Sequence, residues 1–449
     1  MSLWPYLMSH GWLPYRDIAV AHTPLLLFNL AIFYKIFGVG ILQLKIFTWI
    51  LILLSDVLVF FVVKKIWNTK TAFAALIFYG LSLMIYDGNG LWFDLYMGLT
   101  ALVSFYFAHN KKWFLTGVFW ALAFISKQTA VWFLLPIGLA MVNGKWSMVK
   151  NILRRPLKGY PFKVTVKFIK GVLAVFVPFV LILLIAGLLP DFWNWAVKFG
   201  VFILPKAQGQ IQLPSLKNLT FALYPFLVFV PLLLNLKSKI LNLVLWAFAG
   251  ALGAYPRFEY FHFLPAVPFL AIAVGLLLAE IKNFKKYAKI LIGAYFLGLA
   301  LLFSGYFIKN IREGTRFYES NVKNLVLYVK YNTSPGDRIF VMNWWDNIYA
   351  LTDTLPATDP WVPQLPWYME LPGVQEEVVQ GLTANPPKLI IYYPYTMSGL
   401  SAYVPQKVYN FVMENYKIVQ KVDGVEILMQ KQGSDYYAQN DLYEDSNIK

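Results

Sequence analysis

Residues 113–142 read WFLTGVFWALAFISKQTAVWFLLPIGLAMV, a run in which Lys127 is the only charged side chain. A membrane span needs about 20 apolar residues, so the run forms either one long helix or two short ones. A lysine ammonium in hydrocarbon is costly unless it reaches water or a partner. The loops on both sides, 109–112 and 144–167, are basic, and basic loops are expected on one side of a membrane. These features predict two crossings with a turn at Ser126-Lys127-Gln128.

The rest of the chain has the same apolar character. It has 449 residues, of which 59% are hydrophobic and only 14% charged, against about 25% charged in soluble domains. The formal charge of +16 does not indicate nucleic-acid binding, because the lysines and arginines cluster in short loops between apolar runs. The absence of cysteine excludes disulfides and thiolate metal sites. The composition therefore predicts a polytopic α-helical membrane protein of the cell membrane.

The positions of the apolar runs predict about ten crossings. These are residues 39–63, 72–86, 91–108, 113–126, 128–142, 169–189, 219–235, 240–255, 261–279 and 288–308. If the basic loops are cytoplasmic, then residues 1–38, the turn at Lys127 and everything after Lys309 are extracytoplasmic. Leu25–Phe37 is short and is expected to lie along the membrane interface. This topology places the N-terminus outside as well, and we therefore expect a further span before Met1.

The composition changes after Lys309, and helical and strand patterns alternate. Helices are predicted at 317–332, 373–384 and 405–415, and strands at 338–342, 388–393, 417–422 and 425–430. We therefore divide the chain into a first outer loop (1–38), a transmembrane domain (39–309), a small extracytoplasmic α/β domain (310–431) and an acidic tail (432–449) that is expected to be disordered.

The first outer loop contains the strongest candidate for proton transfer. Residues 10–24 are polar and aromatic, and they include Asp17 and His22. The Asp17 carboxylate is a candidate general base or cation ligand, and His22 is a candidate to share that task. The alternative is an interfacial loop in which Arg16 pairs with Asp17 and the aromatic residues lie at headgroup level.

Other polar groups are predicted to share the same face as Asp17. They are Asp87, Asp94, Lys127, Arg257, Glu259 and His262. Arginine and histidine at a membrane edge favour a phosphate ligand, because the guanidinium presents a planar fork of donors. The alternatives are a tight turn with a capping aspartate at 86–94 and a surface pair between Arg257 and Glu259. Asp56, inside an apolar run, is expected to make a structural bond to a neighbouring helix.

Taken in order, these motifs resemble the GT-C membrane glycosyltransferases. The resemblance is to the bacterial branch near the protein O-mannosyltransferases and lipid A aminoarabinose transferases. It rests on Gly11-x-x-Pro14-Tyr15-x-Asp17, His22-x-Pro24, the helix ending at Phe37-Gly38, Ser126-Lys127-Gln128, Tyr255-Pro256-Arg257 with His262 and Pro265, and the final α/β domain. One departure is that the acidic pair usual after the first span of these enzymes would fall before Met1; Asp17 matches the second acidic position of the same loop.

The resemblance implies a hexosyltransferase that uses a polyprenyl-phosphate-linked sugar outside the cytoplasm, with inversion at the sugar carbon. Because the acid usually assigned as base in this family would fall before Met1, Asp17 is the best remaining candidate for the base. Lys127, Arg257 and His262 are candidates to neutralise the leaving phosphate, and His22, Asp87, Asp94 and Glu259 are the other candidate substrate-binding residues. The acceptor that the resemblance implies is a glycan, a lipid or a protein. Membrane lipids are expected around the chain. Whether the reaction uses a divalent cation stays open. Two other classes compete with this one: a transporter or flippase of lipid-linked sugars, disfavoured because no internal repeat is evident, and a non-catalytic scaffold for the outer domain.

Overall fold

The structure is a computed structural model that describes residues 2–143, 160–236, 240–312, 314–315 and 317–431. The acidic tail and most of the basic loop at 144–167 lie outside the described residues. The two parts of the chain that the sequence distinguishes are both present: an apolar helical part and a small domain built on a sheet.

The apolar part consists of helices joined by short turns. Their bounds are α1 (Leu3–Ser9), α2 (Leu25–Phe37), α3 (Ile41–Ile66), α4 (Thr69–Ile85), α5 (Phe93–His109), α6 (Trp113–Ser126), α7 (Leu134–Asn143), α8 (Tyr160–Ile185), α9 (Leu189–Phe192), α10 (Leu216–Leu223), α11 (Phe229–Leu236), α12 (Leu241–Ala251), α13 (Val267–Ala279) and α14 (Lys286–Asn310). A π-helical segment, Trp193–Ile203, follows α9, and 3₁₀ turns at Gln128–Phe133 and Tyr260–Ala266 lead into α7 and α13.

Each of the ten predicted apolar runs is helical. Within the described residues, five continuous helical stretches are long and apolar enough to cross a membrane, and several shorter ones lie between them. The chain is a multi-pass membrane protein; ten crossings stay a prediction. One boundary differs from expectation, since Lys163 and Lys167 lie within α8 rather than in a loop. Lysine has good helix propensity, so a span can continue past the membrane edge.

The break in the opening run falls where it was predicted. Helix α6 ends at Ser126, and Lys127 has an extended backbone with φ −158° and ψ 133°. Two glycines let α6 pack closely against α8, because a Cβ added at Gly117 would collide with the Phe168 carbonyl, and one at Gly171 with the Phe114 carbonyl. Helix α13 is apolar on every side and is buried from Val267 to Leu277, so it forms the centre of the bundle.

The C-terminal domain has a five-stranded sheet in the order β2-β1-β3-β5-β4. Its strands are β1 (Arg338–Met342), β2 (Leu355–Pro356), β3 (Ile390–Tyr392), β4 (Tyr416–Val422) and β5 (Val425–Gln430). β1 pairs in parallel with β2 and β3, and the hairpin β4–β5 adds antiparallel to β3. The helices are α15 (Ser320–Asn332), α16 (Asn347–Thr352), α17 (Pro366–Met369), α18 (Val374–Ala384) and α19 (Gln406–Asn415). The prediction missed only short elements, β2, α16 and α17 among them.

The N-terminal residues hold this domain against the helical part. Ala19 N–H donates to the Trp361 carbonyl at 2.9 Å, and Trp361 N–H donates to the Asp17 carbonyl at 2.8 Å. The Tyr6 hydroxyl donates to the Thr354 carbonyl at 3.0 Å. Backbone pairing of this kind orients two segments without needing complementary side chains.

Candidate active site

Three of the predicted site residues meet inside the helical part. Lys127 Nζ donates to both Asp94 carboxylate oxygens, at 2.6 and 2.8 Å, and lies 3.0 Å from His262 Nδ1. His262 Nδ1 is 3.3 Å from Asp94 Oδ2. The exposed fractions of the side chains are 6% for Lys127, 2% for Asp94 and 14% for His262. We call these residues the Asp94–Lys127–His262 cluster.

The cluster forms because three element ends converge. Asp94 lies in the first turn of α5, Lys127 in the break after α6, and His262 in the 3₁₀ turn before α13. The Trp92 and Phe261 rings stack with centroids 3.9 Å apart and planes 5° apart, which aligns the start of α5 with that turn. Of the two ways to accommodate the lone lysine, an exit to water or a partner, the structure shows the partner: the Lys127 ammonium is buried and is paired with Asp94.

His22 lies beside this cluster. Its ring centroid is 4.8 Å from that of Phe93. Burial, and then the charge of Lys127, lower the pKa of His22 to about 4, so the imidazole is neutral at pH 7. Gln128 holds the loop in place by donating to the Ala21 carbonyl at 2.8 Å and the Ala196 carbonyl at 3.0 Å.

Arg257 and Glu259 form an ion pair on the loop before His262. Arg257 Nη2 lies 3.3 Å from Glu259 Oε1, and the guanidinium lies over the Trp367 ring of the C-terminal domain, 5.1 Å from its centroid. Nη1 is buried and has no hydrogen-bond partner among the described residues. The pair between Arg257 and Glu259, one of the alternatives considered above, is therefore present, but it uses only Nη2. Nη1 remains available to bind an anion.

The loop of Arg257 is fixed by a second loop. Gln212 N–H donates to the Pro256 carbonyl at 3.1 Å, and Phe258 N–H donates to the Gln212 carbonyl at 2.9 Å. These two backbone bonds flank Arg257, so the arginine is held from one side by residues of the helical part and capped by Trp367 from the other. A pre-organised cation of this kind loses little side-chain entropy when an anion binds.

The contacts described for Asp17 are within the first loop and with the C-terminal domain, and none of them is with the Asp94–Lys127–His262 cluster. Its carboxylate accepts from Leu13 N–H at 2.7 Å and closes a turn. The proposed pairing with Arg16 is wrong, because Arg16 contacts Asp191 at 3.4 Å and the Gly187 carbonyl at 2.6 Å.

The carboxylate of Asp17 also faces the C-terminal domain. Burial, and then the negative charge of Asp17, raise the pKa of Asp359, and Trp361 N–H donates to the Asp17 carbonyl. Asp17 therefore lies at the contact between the first loop and residues 359–361.

Asp87 forms the turn that the sequence predicts between α4 and α5. Its φ is +50°, and its carbonyl accepts from Trp92 Nε1 at 2.8 Å. Because Trp92 stacks on Phe261, Asp87 supports the cluster through that ring.

Some residues near the site were not singled out from the sequence. Gln128 was noted only as part of the Ser126-Lys127-Gln128 turn and motif, and not as a site residue. Trp92, Phe261 and Trp367 are aromatic residues in an aromatic-rich chain, and nothing in the sequence distinguishes them. Within the described part of the chain, no group of three or more histidine, aspartate or glutamate residues is arranged to hold a metal ion.

Comparisons with known proteins agree with this architecture. Residues 21–182 match the family described as dolichyl-phosphate-mannose-protein mannosyltransferase. The structure of ArnT from Cupriavidus metallidurans bound to undecaprenyl phosphate superposes with a TM-score of 0.61 at 13% identity, covering 95% of this chain and 92% of that one. The apo oligosaccharyltransferase from Archaeoglobus fulgidus gives 0.54 at 13% identity, covering 96% and 70%. No curated protein matches the sequence.

The two superpositions cover nearly the whole of this chain. The matched structures are glycosyltransferases of the GT-C class. The sequence motifs that suggested this class lie both inside residues 21–182 and beyond them. The chain is therefore a multi-pass membrane protein with the fold of the GT-C membrane glycosyltransferases.

Proposed function

We propose that this protein transfers a hexose from a polyprenyl-phosphate donor to an acceptor at the extracytoplasmic face, with inversion at the sugar carbon. Two relatives support a lipid-phosphate donor: ArnT was solved with undecaprenyl phosphate, and the archaeal oligosaccharyltransferase with a dolichol-phosphate. Lysines and arginines cluster in the loops that the topology places in the cytoplasm. This supports transfer at the opposite, extracytoplasmic face of the membrane.

The observation that carries the proposal is the unpartnered Nη1 of Arg257. A buried guanidinium nitrogen without an acceptor is costly, and a phosphate oxygen is the acceptor that suits it. In this reaction the bond from the sugar carbon to the phosphate oxygen breaks, and the phosphate leaves with an added negative charge. Arg257 would stabilise that charge.

Lys127 acts in this proposal as a partly neutralised cation. Asp94 accepts two of its hydrogen bonds, so the pair has no net charge, but its ammonium end contacts His262 on the loop of Arg257. The Asp94–Lys127–His262 cluster then orients the loop that binds phosphate. Glu259 limits the net charge of that loop and leaves Arg257 one free nitrogen.

The acceptor hydroxyl must lose a proton as its oxygen attacks the sugar carbon. Asp17 is the base in this proposal. One segment of the C-terminal domain, residues 359–367, links Asp17 to Arg257. Trp361 contacts the Asp17 loop, and Trp367 contacts Arg257. Asp17 and Arg257 thus border one stretch of the C-terminal domain. His22, neutral and buried, is a hydrogen-bonding group rather than the base.

The test uses purified protein in liposomes with undecaprenyl-phosphate mannose or glucose as donor. Transfer is read as release of undecaprenyl phosphate together with a glycosylated acceptor. Arg257→Ala should abolish donor use, whereas Arg312→Ala, an exposed arginine after α14, should not. Movement of intact donor across the bilayer without release of undecaprenyl phosphate would contradict the proposal and indicate the transporter alternative. Chelation in the same assay tests whether a divalent cation assists.

A further inference from the structure

Asp56 lies near the middle of a membrane-spanning helix. Lys45 and Lys64 are nineteen residues apart in α3, which is about 28 Å at 1.5 Å per residue and matches a hydrocarbon core of about 30 Å. Asp56 is eleven residues from Lys45 and eight from Lys64. Its carboxylate is therefore far from the headgroups on both sides.

The side chain of Asp56 lines a groove between α3 and α4 that faces away from the bundle. The groove has a volume of about 650 Å³. Apart from Asp56 its walls are apolar, and they include Leu53 from α3 and Ile77 from α4, which are 62% and 64% exposed. Exposed leucine and isoleucine on a spanning helix face lipid or another helix, and not water.

The carboxylate in this groove is not satisfied. Asp56 Oδ1 is buried and has no hydrogen-bond partner among the described residues. The predicted bond from Asp56 to a neighbouring helix is therefore wrong for this oxygen. A carboxylate in hydrocarbon is expensive, and such groups pair with one another or with cations. The groove therefore lacks a donor at the depth of Asp56.

The depth of Asp56 in the membrane limits which groups can donate a hydrogen bond to its carboxylate. Lipid headgroups remain at the interface and acyl chains have no hydrogen-bond donors, so a lipid does not satisfy Asp56. A neighbouring transmembrane helix can carry a donor to the midplane. Gly80 on α4 lines the same groove, and a Cβ added there would meet nothing within 4 Å. Small residues of this kind let helix backbones approach closely in membranes.

We propose that the α3–α4 groove binds a transmembrane helix of a partner protein that carries a lysine or arginine near its midpoint, paired with Asp56. A cation fits better than a second copy of this chain, because a two-fold contact through the groove would bring Asp56 against Asp56 and leave like charges unpaired. The groove does not touch the Asp94–Lys127–His262 cluster, so this interaction is independent of the transfer reaction.

The experiment measures helix association in liposomes by energy transfer. Lys70→Cys, exposed near one end of the groove, supplies a single labelling site because the chain has no cysteine. The probes are two lysine-flanked polyleucine transmembrane peptides, one with a central arginine and one without. The arginine peptide should associate at least ten-fold more tightly, and Asp56→Leu should remove that difference. Gly80→Leu should weaken both peptides by filling the groove.

Leu54→Ala, on a lipid-exposed position outside the groove lining, is the matched control and should change neither affinity. Asp56→Asn keeps the shape of the side chain and should give most of the loss seen with Asp56→Leu, which separates charge from packing. Equal affinity of the two peptides for the unmodified groove, or an unchanged preference in Asp56→Leu, would overturn the proposal. Asp56-dependent energy transfer between protein copies without peptide would also overturn it, in favour of self-association.

Discussion

The Lys127 ammonium donates to both carboxylate oxygens of Asp94, at 2.8 and 2.6 Å, although the residues are thirty-three positions apart in the sequence. Both side chains are almost fully buried. In such a pair the attraction and the cost of removing two charges from water are both large and nearly cancel. The pair is consequently better suited to fixing the geometry of α5, α6 and the His262 turn than to adding stability.

Removing one member of this pair should be more harmful than removing both. Lys127→Met leaves the buried Asp94 carboxylate without its lysine, with only His262 beside it, and should destabilise the protein by about 3–5 kcal/mol, whereas Lys127→Met/Asp94→Leu should recover most of that loss. Thermal unfolding in detergent measures the difference, with Lys309→Met on an exposed site as control. The double variant should remain inactive in transfer. Unchanged stability of the single variant would show that the buried Asp94 carboxylate does not need Lys127 in the folded protein.

Arg257 should determine affinity for the donor phosphate. Arg257→Ala should weaken binding of undecaprenyl phosphate at least about ten-fold, since hydrogen bonds to charged groups contribute about 1.5–3 kcal/mol. Arg257→Lys keeps the charge but loses the planar fork, and should recover only part of the affinity. Binding to protein in nanodiscs, measured by fluorescence quenching, checks both. Equal affinity of Arg257→Ala and the unmodified protein would remove Arg257 from the site.

Two substitutions of Asp17 distinguish a role in catalysis from a role in forming the turn. Asp17→Asn keeps an oxygen that can accept from Leu13 N–H, so the turn should persist, whereas turnover should fall at least about 100-fold, the usual contribution of a general base. Asp17→Ala should in addition lower the unfolding temperature. Binding of undecaprenyl phosphate should be unchanged in Asp17→Asn. Normal turnover of this variant would reduce Asp17 to a structural residue.

His22 should make stability depend on pH. Its pKa of about 4 in the folded protein lies below its ordinary value of 6.5, so the unfolded chain binds the proton more readily between these values. Stability is therefore lost as the pH falls from 6.5 towards 4. His22→Gln should show a smaller fall in unfolding temperature over that range. Identical slopes in His22→Gln and the unmodified protein would contradict the burial of His22.

Because the chain has no cysteine, its orientation in the membrane can be measured by labelling single introduced cysteines. Cysteines at Asn110, in the basic loop after α5, and at Ser398, in the C-terminal domain, are both exposed. They should react with an impermeant maleimide from opposite sides, because the basic loops are expected inside. Reaction of both from the same side would place the C-terminal domain with the basic loops and contradict the proposed face of transfer.

The elements of the fold follow from local sequence. Apolar runs of sufficient length form helices because the backbone must satisfy its own hydrogen bonds in lipid. The lone Lys127 ends α6 at Ser126, where the sequence predicted a turn. In the C-terminal domain, β1 at Arg338–Met342 and α18 at Val374–Ala384 lie within one residue of their predicted ranges, because alternation and helical periodicity are short-range properties.

The partners of the polar residues were decided only by the tertiary structure. The sequence grouped Asp94, Lys127 and His262 on one face by topology, but it left open whether Lys127 reaches water or a partner, because a distant carboxylate cannot be identified from spacing. Arg16 pairs with Asp191 instead of its neighbour Asp17, and Asp17 meets Trp361 more than three hundred residues away. Local patterns determine helices and strands because backbone hydrogen bonds close within a few residues. Ion pairs and loop contacts depend on which element ends converge, and only packing of the whole chain decides that.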